Sequence, residues 1–149
     1  MTLIEPVPGN GVTLLENLVS ASHARIVDLL LEVSRDTPTV GVRDTVQRQL
    51  VHDLRAHLAV VRQVLGPDLA HAEREELEHD QADLSAAIER YEQGPPDDET
   101  SLRTMLERVR RHVEVEEGSV LPSLRRRAGD QRMATLSYHY ASTSDTHLD

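Results

Sequence analysis

The chain has 149 residues, with 16 basic and 26 acidic side chains for a formal net charge of −10, and it contains no Cys, Phe or Trp. That length suits one domain, which at about 150 residues buries roughly 68–70% of its unfolded surface, and the lack of Cys excludes thiol nucleophiles, iron–sulfur clusters and Cys-type zinc sites. An acidic balance without Lys, Phe or Trp argues against a nucleic-acid partner, and no apolar run reaches the ~18 residues of a membrane span.

The opening MTLIEPVPGNG lacks the basic segment and apolar stretch of a signal peptide, so a cytoplasmic setting without a membrane partner is expected. Residues 1–12 read as an N-terminal segment, and residues 13–128 as an all-α domain punctuated by Pro38 and Gly41, Gly66-Pro67, Gly94-Pro95-Pro96 and Gly129. The stretches between breakers run to about 20–25 residues each, too long for ordinary strands. Thr13 with Glu16 predicts a capping box opening the first helix, with Val19, Ile26, Val27, Leu30 and Val33 on its apolar face. Asp44 with Gln47 predicts the start of the second, whose stripe is Leu50, Leu54, Leu58, Val61 and Leu65. Leu77, Leu84, Ile88 and Tyr91 line the third helix, and Leu102, Leu106, Val109, Val113 and Val120 the fourth. Arg125, Arg126 and Arg127 before Gly129 suit a last turn, where cations offset the negative helix end. Four helices with short connections predict an antiparallel up-down-up-down four-helix bundle. Residues 129–149 are polar and read as a loose C-terminal tail with at most a short helical turn.

Eight His residues stand out in so austere a composition, and four of them repeat. His57 opens HLAVVRQVLGP and His112 opens HVEVEEGSVLP, each reaching Pro ten residues on. His57 follows His23 by 34 residues and His112 follows His79 by 33, so a helix–loop–helix unit with one His per helix occurs twice. His23, His57 and His112 fall on or beside the apolar stripes, whereas the helical neighbours of His79 are small and acidic. Buried imidazoles need partners for their nitrogens. A metal satisfies one nitrogen on every ring at once, and imidazole suits Fe, Zn, Cu and Ni. Glu116, one turn after His112, adds a carboxylate on the same face. His52 points about 140° away from His57 at 100° per residue and reads as solvent-facing; His71, His139 and His147 read as outside the centre.

This arrangement resembles the hemerythrin-like (HHE cation-binding) domain over about residues 13 to 127. That pattern is a His on helix one, His-x-x-x-Glu on helix two, a His on helix three and His-x-x-x-Glu on helix four, with a Pro after each His-x-x-x-Glu segment. His23, His57, His79 and His112-Val113-Glu114-Val115-Glu116 match it, with Pro67 and Pro122 in register. The resemblance implies a non-haem iron centre, one or two ions, with His23, His57, His79, His112 and Glu116 as ligands. It also implies a small ligand: dioxygen, peroxide or nitric oxide. Storage, sensing and turnover all fit, in a monomer or homodimer.

The chain departs from the pattern at Val61, where the family carries Glu. Two Fe(II) ions bring +4, and a single carboxylate leaves an excess of buried charge that is costly. The half-site of His23 and His57 is therefore expected to bind weakly or not at all. Three arrangements follow: one metal on His79, His112 and Glu116; two metals with Asp53 or Asp83 helping; or a metal-poor bundle acting as a protein-interaction or regulatory module.

Overall fold

A computed structural model describes residues 14–34, 40–95 and 98–148, and every regular element among them is helical. The N-terminal segment 1–12, the Thr13 capping box and the breakers at Pro38 and Pro96 lie outside the described residues. Helix α1 spans Leu15–Ser34, α2 Val40–Leu65, α3 His71–Gln93, α4 Glu99–Val115, α5 Leu121–Ala128 and α6 Asp130–Leu148.

Helix α1 buries Leu15, Val19, His23, Ile26, Leu30 and Val33, a spacing of three and four that keeps one face inward. Helix α2 starts at Val40, a turn before the predicted Asp44 cap. Gln47 instead uses its side-chain amide at the far end of α3, donating to the Tyr91 carbonyl at 3.1 Å and the Gly94 carbonyl at 3.4 Å. Helix ends leave carbonyls short of helical partners; Gln47 satisfies that of Gly94 and adds a second donor to that of Tyr91, which also accepts from the Gly94 N–H at 3.2 Å. The turn Gly66–Asp68 leads into α3, where Glu73 accepts from the Ala70 N–H at 2.8 Å. At the head of α4, Asp98 accepts from the N–H groups of Thr100 and Ser101.

Helices α4 and α5 form one continuous rod joined by a π-helical turn over Glu116–Val120, where the Leu121 N–H reaches back to the Glu116 carbonyl. Pro122 follows at once. Its missing N–H and its ring would break a regular helix at this point, and the wider turn absorbs that defect. Gly129 ends the rod with φ 87°, a left-handed conformation that favours glycine.

The stretch expected to be a loose tail is helix α6, packed against α1 and α2. Met133, Leu136 and Tyr140 are buried in the core. Each such side chain contributes about 1.5–3 kcal/mol before ordering entropy, which outweighs the polar composition around it. Arg132 clamps the start of α6 to Asp68 through two hydrogen bonds of 2.6 and 2.7 Å. The buried face of α4 is also rotated from expectation. It runs Ser101, Met105, Val109, His112, with Leu102, Leu106 and Val113 half-buried at its flanks.

The apolar core falls into two clusters. One gathers Leu15, Val19, Val61, Leu65, Leu77, Val120 and Leu124 with the α6 residues; the other gathers Ile26, Leu30, Leu50, Leu54, Leu84, Ile88, Met105 and Val109. Along α1, α3 and α4, the residue between the two clusters is polar: His23, Asp80 and His112. On α2 it is His57. A buried polar layer thus crosses the fold between two greasy halves.

Candidate metal centre

The layer is built from the middle of three helices and the start of the π turn. His23 sits between Val19 and Ile26 on α1, His57 between Leu54 and Val61 on α2, and His112 one turn after Val109 on α4. Glu116, one further turn on, opens the π segment. All four side chains are at most 5% exposed. Their ligand-capable atoms lie within 4.8 Å of one another. His57 Nε2 is 3.1 Å from both His23 Nε2 and His112 Nε2. Glu116 Oε1 lies 2.9 Å from the Nε2 atoms of His23 and His57, and its Oε2 lies 2.9 Å from that of His112.

Each ring is held from behind through its other nitrogen. His112 Nδ1 is 2.7 Å from Asp80 Oδ2, and His23 Nδ1 is 2.5 Å from Glu117 Oε2. A carboxylate only accepts, so both rings are Nδ1–H tautomers when neutral, and each turns an Nε2 lone pair to the centre. His57 Nδ1 faces the Tyr140 hydroxyl at 3.2 Å. Burial pushes the Tyr140 phenol up to about 12, so it stays neutral. Burial depresses His57. It also pulls on His112, but Glu116 and Asp80 outweigh it and raise that ring to about 9. Burial likewise opposes ionisation of Glu116, yet His57 and His112 hold it well below the usual carboxylate range.

The donor chemistry fits a cation. His23 Nε2, His57 Nε2 and Glu116 Oε1 form a triangle with sides of 2.9 to 3.1 Å, too few protons being available to bridge all three edges. Glu116 Oε2, although close to His112, has no aligned hydrogen-bond donor and is buried. Buried polar atoms left this way cost about 1–3 kcal/mol each. One divalent ion facing three imidazole nitrogens and a carboxylate removes the conflict. Its charge of +2 falls to +1 with Glu116, and Asp80 and Glu117 behind the rings take the local sum to −1. Asp80 and Glu117 thus place behind the rings negative charge that Val61 does not provide.

The structure brings together four of the five predicted ligands and leaves out His79. The His79 side chain is 70% exposed and lies 3.8 Å from Asp83. Its buried neighbour Asp80 continues the stripe of Leu77, Leu84 and Ile88, whereas His79 is turned 100° out of it. The expected split into a strong half-site on His79 and a weak one on His23 and His57 gives way to one centre. Asp53 is buried and committed elsewhere, 2.8 Å from both Arg25 Nε and Gln49 Nε2. Val61 is fully buried within an apolar cluster. His52, His71 and His139 are exposed, as expected; the His147 side chain lies outside the described residues.

Asp80, Glu117 and Tyr140 were not among the sequence candidates. Leu77-x-x-Asp80-x-x-x-Leu84 carries the signal for the first, an acid in step with an apolar stripe. Met133, Leu136 and Tyr140 at three and four residues carry it for the third. Glu117 reaches the layer only through the π turn, which no spacing rule announces.

An all-helical protein with a buried His₃Glu cluster able to hold a metal ion is the class that fold and site define. Residues 14–124 match the hemerythrin HHE cation binding domain. The chain belongs to that family. Comparison with curated proteins and with solved structures gave no match.

Proposed function

We propose that this protein is a hemerythrin-like non-haem iron protein with one iron per chain, held by His23, His57, His112 and Glu116, that binds dioxygen, peroxide or nitric oxide. On this reading α1 to α4 are the antiparallel four-helix bundle of the family, with α5 extending α4 and α6 added to its side. The observation that carries the reading is the convergence of three Nε2 atoms and one carboxylate on a single point. Three nitrogens with one or two oxygens leave at least one position of a six-coordinate ion free, and such an ion supplies ligand binding and redox chemistry. The chain restricts access. The four donors are almost wholly buried between two apolar clusters, so molecules of two to four atoms reach them more readily than organic substrates. A pocket of ≈ 30 Å³ beside His57 is likewise of water size.

Anaerobic titration with Fe(II), followed by exposure to nitric oxide, tests this. Saturation near one iron per chain and a new visible absorption band support it. Absence of iron binding contradicts it and favours the metal-poor interaction module, for which the apolar Val61 speaks.

A further inference from the structure

His57 differs from its two companions because no carboxylate backs it. Its Nδ1 faces the Tyr140 hydroxyl at 3.2 Å, and Tyr140 Oη is 2.9 Å from Ser22 Oγ. Ser22 Oγ in turn donates to the Leu18 carbonyl at 3.2 Å, one turn back on α1. A hydroxyl has one proton to give, and a carbonyl can only accept. With the Ser22 proton committed to Leu18, Ser22 Oγ accepts the Tyr140 proton, and the Tyr140 oxygen accepts from His57 on one side and from the Ser144 hydroxyl on the other. The carbonyl therefore sets the direction of the whole chain.

We propose that this one-way hydroxyl chain, from His57 Nδ1–H through Tyr140 and Ser22 to the Leu18 carbonyl, holds the His57 Nε2 lone pair on the metal centre and makes Tyr140 a positioning residue for the metal. The proposal rests on the reading of His23, His57, His112 and Glu116 as metal ligands. Tyr140 is 2% exposed and belongs to α6, beyond the residues 14–124 that the family match covers. Helix α6 is thus a working part of the centre. The polar chain also completes a symmetry of function: every imidazole has an acceptor behind it, two of them charged and one neutral.

The test measures affinity for Fe(II) without oxygen and for Zn(II), by chelator competition, in the full chain and in Tyr140→Phe, Ser22→Ala and the exposed-site control Tyr138→Phe. Nitrogen-15 NMR of the metal-free proteins reads the His57 tautomer separately. Tyr140→Phe should weaken both metals about 10–100-fold, the usual effect of losing an outer-shell partner, and move the His57 nitrogens away from the Nδ1–H pattern. Ser22→Ala frees the Tyr140 proton to turn onto Nδ1 and should weaken binding in the same direction, by less; Tyr138→Phe should change nothing. Wild-type affinity in Tyr140→Phe overturns the proposal and leaves the metal reading intact. A loss confined to Tyr140→Phe, with Ser22→Ala like the wild type in affinity and tautomer, assigns Tyr140 to packing and also overturns it. A wild type that binds neither metal overturns both readings.

Discussion

Asp80 Oδ2 lies 2.7 Å from His112 Nδ1, with both side chains 2% exposed. That contact commits the outer nitrogen of the ring as a donor and aims Nε2 at the centre. Asp80→Asn keeps the shape and removes the charge, so Fe(II) or Zn(II) affinity should fall about 10–100-fold. His79→Ala, one residue away on the exposed face, should leave affinity within about twofold, since surface substitutions away from such contacts have little effect. Chelator competition on the two variants measures both; the reverse ranking would return His79 to the ligand set.

Helix α6 carries a stability prediction. Leu136 is fully buried in the cluster shared with α1 and α2. Leu136→Ala should cost about 2–5 kcal/mol in urea denaturation, the range for emptying a packed leucine site. A loose tail would lose almost nothing.

The ion pair between Glu16 on α1 and Arg125 on α5 gives a pH dependence. Hydrogen bonding from Arg125 lowers the Glu16 carboxyl below its usual value of 4.5. A carboxyl whose folded-state pKa is depressed stabilises the fold above its unfolded value and loses that contribution as pH falls through the folded one. Wild type should therefore exceed Glu16→Gln in stability at neutral pH. The gap should close below about pH 4.5 as the carboxyl takes up its proton. Both partners are about one-third exposed, so solvent screening keeps the effect to about 1 kcal/mol or less. Denaturation of the metal-free proteins from neutral pH down to about pH 3 checks the sign.

Glu116 tests the anionic side of the centre. Glu116→Gln removes the carboxylate that touches all three Nε2 atoms. Removing one partner of a buried charge pair costs about 3–5 kcal/mol, so the variant should lose metal binding by at least 100-fold, beyond the effect of losing a partner behind a ring. The thermal shift that excess metal gives the wild type should vanish with it; at 1,000 times Kd that linkage is worth about 4.1 kcal/mol.

How much of this was legible in the sequence depended on which residues share a stripe with apolar neighbours. His23 and His57 sit within runs of Val, Ile and Leu, and the three-and-four spacing places them inward without a structure. His112 and Glu116 follow from Val109 by the same count. His79 fits the repeat but not the stripe of its own helix, and a single residue of register separates it from Asp80, which is 100° of rotation. Helix α6 was hidden by composition: its three anchors are diluted among Ser, Thr and Asp, and burial against a preformed face overrides that local preference. The π turn depends on Pro122 and on packing around Glu116, neither of which sets a period.

Metal counting on the full chain tests the central claim most directly. After anaerobic equilibrium dialysis against Fe(II), the account expects one iron per chain, lost in Glu116→Gln and retained in His79→Ala. Two irons per chain, or none, would contradict a single centre on His23, His57, His112 and Glu116.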